Sequence, residues 1–230
     1  MEPSVITPHN RGEAAGSLAS LALPDLLAKG SAVPLVAALF VRHDSIYKQL
    51  PGVSAYDLER NALTWSGGCP VIAHPPCRSW SRLRAFAKPA PGERWLAHWS
   101  VIQVRRWGGV LEHPAGSLLW NAAKLPAPGT VDAFGGWSMC VDQSWWGHRA
   151  AKRTLLYIVG CPPAQIPDYS PNFIPPPRVV AWSRSSRSLR RTHIHKHERE
   201  HTPVAFAQWL IALAQRCTPP IAPAAAGVPQ

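Results

Sequence analysis

The chain has 230 residues, enough for one domain with at most a small appendage. A hydrophobic content of 46% excludes a wholly disordered chain, and 25 prolines with 16 glycines exclude a fold made of long helices. Lysines and arginines number 24 against 13 acids, a formal charge of +11 that favours a polyanionic partner, nucleic acid first, with a solvated basic tail as the alternative.

In chain order, residues 1–30 read as a loose lead with one helical stretch, Ala14 to Lys29, interrupted by Pro24. Val33 to Val41 is an apolar run with β-branched members and predicts a buried strand. Asp44 to Leu50 predicts a helical turn stopped by Pro51-Gly52, Val53 to Tyr56 a short strand ending at Asp57, and Leu58 to Leu63 a helical piece. Pro70 to Ala73 is a compact buried strand followed at once by His74-Pro75-Pro76-Cys77. The strongest helix is Glu93 to Trp107, where Trp95, Leu96, Trp99, Ile102 and Arg106 recur at three- and four-residue steps before Gly108-Gly109. Val110-Leu111 is a strand ending in Glu112-His113-Pro114, residues 126–137 are loop, and Thr154 to Val159 is a strong strand. Residues 161–202 form a Pro-rich and then basic segment, Val204 to Gln215 a last helix after Pro203, and the Pro/Ala-rich tail from Thr218 reads as disordered. Short buried strands alternating with helices predict an α/β three-layer sheet, with a core over 31–160, a small basic insertion over 161–202 and a returning helix over 203–217.

The five cysteines are odd in number, irregularly spaced and without a CxxC pair. They predict neither a disulfide framework nor a zinc ribbon, and a reducing cytoplasm is the default compartment. The N-terminus lacks the charged start and apolar run of a signal peptide, and no apolar stretch reaches membrane-spanning length. No metal site is expected, since His193, His195, His197 and His201 have no Cys or carboxylate completing a tetrahedral spacing and fit a basic strip better. A zinc deaminase is excluded because no His-x-Glu precedes Pro76-Cys77 and no second Cys follows at the required spacing. The absence of GxxxxGK[ST] argues against NTP hydrolysis.

Polar and reactive residues collect just after predicted strand ends, where open α/β sheets bind ligands. Two prolines present Cys77 on a stiff loop, as a nucleophile requires, although a packed inert thiol gives the same pattern. Thirty-five residues on, Glu112 ends the neighbouring strand. A thiolate that attacks an aromatic ring carbon needs an acid to protonate a ring nitrogen, and a glutamate with its pKa raised by burial suits that part.

These two motifs together resemble the cytosine-5 DNA methyltransferases, above all their small phage and prophage relatives, over most of residues 35–215. The resemblance implies a Rossmann-like, methyltransferase-like sheet in a bacterial-host cytoplasm, DNA as partner, and transfer of a methyl or other one-carbon group to C5 of cytosine. Cys77 would add to C6, and Glu112 would contact N3. His113 stands where the family has Asn, with Pro114 keeping the shape. The stretch from Gln143 through His148 to Thr154 resembles the family's basic motif, which makes Arg149, Lys152 and Arg153 the residues that hold base and backbone. Arg78, Arg82 and Arg84 in the loop after the nucleophile, with His113, Gln143 and His148, would face DNA; the family's equivalent loop closes over a flipped base. Arg178 to Arg191, with Trp182, sits where the family keeps its DNA-reading region.

The resemblance implies S-adenosylmethionine as cofactor, with Asp57 on the adenine amino group and Pro75 and Pro76 beside it. The family's Asp-Leu-Phe-x-Gly-x-Gly-Gly opening has no counterpart here. The ribose-gripping acid expected after the second strand would follow Val41, where Arg42 stands and Asp44 lies two residues further. Asp57 is equally placed to cap a helix at Leu58. The alternatives are the same Cys/Glu chemistry with another donor, or a non-catalytic DNA-binding homologue of phage origin.

Overall fold

A computed structural model of the chain describes residues 35–82, 84–180 and 192–219. All of them lie in the larger of two compact units, residues 33–230. The helix expected over Ala14–Lys29, most of the basic run to Arg191 with Trp182, and the tail beyond residue 219 fall outside the described residues.

The fold is mixed α/β. Its main sheet contains β1 (Val36–Leu39), β2 (Val53–Tyr56), β3 (Val71–Ala73), β4 (Gly109–Pro114), β5 (Trp137–Asp142) and β7 (Arg153–Val159), in the order β2-β1-β3-β4-β7-β5. The contacts β1–β2, β1–β3 and β3–β4 are parallel, while β7 runs antiparallel to both β4 and β5. Three two-residue strands, β6 (Ala150–Ala151), β8 (Arg178–Val179) and β9 (Thr192–His193), form a small parallel sheet of their own. Four α-helical segments complete the described chain: α1 (Glu93–Trp107), α2 (Leu119–Ala122), α3 (Lys196–Glu200) and α4 (Val204–Gln215).

Strand alternation divides the core into two layers. Leu39, Ala73, Leu111, Tyr157 and Val159 pack on one face with Ala97, Val101 and Val104 of α1. Val36, Ile72, Val110, Leu156 and Ile158 pack on the other with Phe206, Leu210 and Leu213 of α4. Coverage on both faces explains why β1, β3 and the body of β7 read as unbroken apolar runs rather than alternating ones. Gly109 opens β4 at φ 124°, and a Cβ there would collide with the backbone of Val71, so glycine sets how closely β3 and β4 approach.

The helix over Glu93–Trp107 and the strand over Val53–Tyr56 form as the periodicity predicts. Other elements differ. Leu58 to Leu63 is not a helix: it is a turn leading to a 3-10 segment at Ala62–Thr64, because Asn61 takes a positive φ of 53° and its side chain caps Leu63. The Asp44–Leu50 turn is a 3-10 segment over Ile46–Gln49. β4 is longer than Val110-Leu111 because β7 pairs with it as far as Pro114↔Thr154. β5 is an additional strand, with Trp137, Met139 and Val141 alternating with Ser138, Cys140 and Asp142. Thr218, expected to begin a disordered tail, donates its backbone N–H to the Gly160 carbonyl at 2.9 Å. Among the described residues no helix is long and apolar enough to cross a membrane.

Candidate active site

β1 and β3 are sheet neighbours, whereas the chain passes through the edge strand β2 between them. Their carboxyl ends therefore flank the switch point at which open α/β sheets form a crevice. The His74 N–H extends the β1–β3 ladder by one bond, to the Leu39 carbonyl at 3.0 Å. Pro75 and Pro76 then end the strand, and Cys77 emerges exposed. The next turn holds this ledge still. The Trp80 N–H bonds to the Cys77 carbonyl at 3.0 Å, and the Trp80 ring is fully buried between His98 and the Arg94 guanidinium.

Glu112 belongs to the neighbouring strand. β3 pairs with β4 only to Ala73↔Leu111, whereas β7 continues the pairing through Glu112↔Leu156. The carboxylate is thus carried one residue past the end of β3, level with His74. The Glu112 side chain is only 12% exposed, yet both of its oxygens are bonded. Oε2 lies 3.1 Å from Nδ1 of His74, and Oε1 accepts from Nε2 of Gln143 at 2.9 Å. His74 Nε2 lies 3.1 Å from the hydroxyl of Tyr47, which is itself buried. An ionised carboxylate can only accept, so Nδ1 of His74 is the donor to Glu112, and in that tautomer Nε2 accepts from the Tyr47 hydroxyl. Gln143 also donates to Oγ1 of Thr154 at 3.1 Å, and Thr154 donates onward to the Lys152 carbonyl at 3.2 Å. Tyr47, His74, Glu112, Gln143 and Thr154 therefore form one continuous chain of hydrogen bonds.

The electrostatics reverse one expectation. Burial pushes the Glu112 carboxyl upward, but the His74 hydrogen bond and the Lys152 charge outweigh it and hold the pKa at about 2. Glu112 is a carboxylate at neutral pH, not a poised acid. Although the residue is exposed, the protein packed around its sulfur desolvates and raises the Cys77 thiol, the Glu112 charge raises it further, and Lys152 opposes both. Burial lowers the Lys152 ammonium, against the pull of Glu112, Cys77 and Glu200. Cys77, Glu112 and Lys152 thus act on one another across a shared space. The Tyr47 hydroxyl is raised by burial and by the Glu112 charge, so it remains a proton donor in the network.

The other predicted residues divide by location. Gln143 is 1% exposed and belongs to the carboxylate network rather than to a DNA-facing surface. His113 has no exposed surface and stacks edge-on against Trp120, and burial lowers its pKa to about 4, so a duplex has no access to it. His148 is buried as a tether, with Nδ1 2.7 Å from the Ala150 carbonyl and Nε2 3.2 Å from the Glu198 carbonyl. Arg153 precedes Thr154 on β7 and so faces away from the network, with Nη2 3.7 Å from Sγ of Cys140. Arg149 is exposed and paired with Glu198 at 3.1 Å. Arg78 pairs with the buried Glu93 at 2.9 Å, which fastens the start of the loop, while Arg82, Arg84 and Phe86 are exposed. Sequence patterns gave no sign of Tyr47. His74 was visible within the HPPC motif, but its bond to Glu112 spans 38 positions and depends on strand register.

The residues at the donor side do not fit S-adenosylmethionine held as the family holds it. The loop after β1 is Phe40-Val41-Arg42-His43-Asp44, with no glycine, and Phe40 itself takes a positive φ of 60°, a strained choice for a bulky residue. Asp44 is exposed and ion-paired with Arg42 at 2.8 Å. Asp57 does end the strand beside β1, but one oxygen accepts from the Arg60 N–H at 2.9 Å and the other is bound by Lys48. In the sheet order Val36–Leu39 borders the switch point and Val53–Tyr56 is the edge strand beside it, so Asp57 follows the second strand, where the ribose-gripping acid is expected rather than an adenine contact. Pro75 is buried and closes the base of the Cys77 loop.

Comparison with protein-family models, with curated proteins and with solved structures finds no match. Among the described residues no group of three or more His, Cys, Asp or Glu side chains is arranged to hold a metal ion.

Proposed function

We propose that the protein modifies cytosine in DNA at C5 through a covalent adduct between Cys77 and C6, on a Rossmann-like, methyltransferase-type sheet. The observation that carries this proposal is the meeting of an exposed thiol and a buried carboxylate with both oxygens hydrogen-bonded, 35 residues apart in sequence, on adjoining strand ends where the carboxylate charge raises the thiol. The +11 charge and the exposed Arg82 and Arg84 beside Cys77 favour a polyanionic substrate.

The resting site holds an ionised Glu112 and a protonated Cys77, so activation requires one proton to move. As the base enters, the Cys77 proton passes to N3 by way of Glu112. The sulfur forms a bond to C6, the C5–C6 double bond gives up its electron pair, and C5 becomes nucleophilic. Proton and electrons balance within the enzyme–base pair. Loss of the Cys77 proton while Glu112 carries it also removes the repulsion that holds the thiol up. Lys152 steadies the thiolate, and His74 with Gln143 fixes the orientation of the carboxylate. C5 then attacks an electrophilic one-carbon donor, whose leaving group departs with the electron pair of the broken bond; the C5 proton is lost, and elimination of the Cys77 thiolate from C6 restores the C5–C6 double bond. A donor other than S-adenosylmethionine held in the family's manner is favoured by the glycine-free loop after β1.

The test is mass spectrometry of nucleosides from DNA of cells expressing the wild type or Cys77→Ala. A new cytosine species whose added mass identifies the donated group, absent with Cys77→Ala, is expected. Identical nucleoside profiles with DNA affinity retained would replace the enzyme with a binding protein.

A further inference from the structure

Strand alternation that turns Lys152 and Thr154 toward the carboxylate network turns Arg153 to the opposite side of the same strand end. There it borders a cavity of about 460 Å³, walled by Trp145 and Phe173 and edged by Asp142 and Ile174. Three features of this cavity are not those of ordinary packing. Phe173 and Ile174 are 84% and 77% exposed, side by side, two large apolar side chains presented together to solvent. The Asn172 side chain accepts the Ile174 N–H at 2.9 Å, so a local turn presents the two apolar side chains together. Arg153 is exposed and, among the described residues, has no carboxylate within ion-pair distance; its one bond is the weak one to Cys140. Asp142, across the strand pair from Arg153, accepts the backbone N–H groups of Ser144 and Lys152 on Oδ1 at 3.0 Å; it builds the wall and keeps its charge, which partly offsets that of Arg153 without an ion pair to it.

The rings are firmly supported. Trp145 stacks on Tyr169 with 15° between the planes, and Phe173 meets Trp145 edge-on at 6.3 Å. An aromatic cleft of this size with an exposed arginine at its rim that makes no ion pair among the described residues matches a nucleotide in both parts: a flat base against the rings and a phosphate at the guanidinium. The cavity lies on the other side of β7 but at the same edge of the sheet as the candidate active site, since Thr154 pairs with Pro114 of β4 and Arg153 with Asp142 of β5.

The geometry points to a second nucleotide subsite, in which the unstacked base next to the target cytosine lies against Phe173 and Trp145 while Arg153 takes its phosphate. The subsite rests on the nucleic-acid function proposed above, and it assigns Arg153 to strand binding rather than to chemistry. The substrate it implies has at least two neighbouring bases out of the stack, which a single-stranded or locally melted DNA supplies.

The experiment measures fluorescence-anisotropy affinities of the full chain for three labelled single-stranded octanucleotides containing one cytosine. One has adenine on both sides of the cytosine, and the others have an abasic residue on the 5′ or the 3′ side. Phe173→Ala, a change at an exposed side chain, is expected to weaken binding of the intact strand about tenfold. With one of the two abasic strands that penalty is expected to vanish, because the ring then has no base to stack on. Arg153→Gln is expected to flatten the dependence of log affinity on log salt by about 0.7, one single-strand phosphate. If the wild type binds and both variants bind like it with the same salt slope, or if the Phe173→Ala penalty persists on both abasic strands, the subsite is refuted and the Cys77 chemistry is untouched. If the wild type binds none of the strands, the nucleic-acid function and the subsite fall together.

Discussion

Replacing Glu112 by Gln isolates the charge on which the site is organised. The folded carboxyl titrates at about 2 against an ordinary value of 4.5. Because the folded pKa is depressed, its contribution to stability is complete above pH 4.5, declines as pH falls, and is gone below about 2. The difference of roughly 2.5 pH units corresponds to ~3 kcal/mol at neutral pH, of which ~2 kcal/mol is lost by about pH 3. Glutamine keeps the shape, and the buried Gln143 Oε1, which has no hydrogen-bond partner of its own, can turn to accept from the new amide. Urea unfolding of wild type and Glu112→Gln at pH 7 and pH 3 is the assay. The wild type is expected to lose ~2 kcal/mol more than the variant between the two pH values. The exposed Asp44, also held at about 2, is present in both proteins and cancels. Parallel losses in the two proteins would refute the view that His74 and Lys152 hold this carboxylate ionised.

The same charges govern Cys77. At pH 8, peptide-resolved iodoacetamide labelling is expected to run roughly three- to tenfold faster in Glu112→Gln and slower by a similar factor in Lys152→Gln, since one change removes the group that raises the thiol and the other the group that lowers it. Cys161 and Cys217, both buried, are expected to stay unlabelled in every variant, and labelling of Cys217 ahead of Cys77 would contradict the arrangement. Gly109→Ala places a methyl group against the Val71 backbone at positive φ and is expected to cost about 3 kcal/mol or more in urea unfolding. A change within about 0.5 kcal/mol would mean that β3 and β4 can separate freely.

Much of the frame was visible in one dimension because short-range rules produce it. Glu93–Trp107 carries helical periodicity, ends at glycine and forms as written. Val71–Ala73, followed by two prolines and a cysteine, announces a strand and a stiff ledge wherever it is placed. β5 also has a clear two-residue alternation, Trp137, Met139, Val141, but the surrounding Pro- and Gly-rich loop obscures it. The 58–63 segment reads as helix because its apolar spacing permits one, and the Asn61 side chain settled it otherwise by bonding Leu63 locally.

The residue types at the site, a thiol after two prolines and an acid at the next strand, were determined by sequence alone, because backbone stiffness and strand ends are local properties. Tertiary structure decided their charge states and company. Tyr47, His74, Glu112, Gln143 and Thr154 come from five separate stretches of chain, and only strand register brings them within hydrogen-bonding reach. The face on which Arg153 stands and the burial of His113 follow from the same register, since a shift of one residue exchanges the two sides of a strand. Ionisation depends on distance and burial in three dimensions, so a glutamate that looks like a poised acid in the sequence is a fixed anion in the fold.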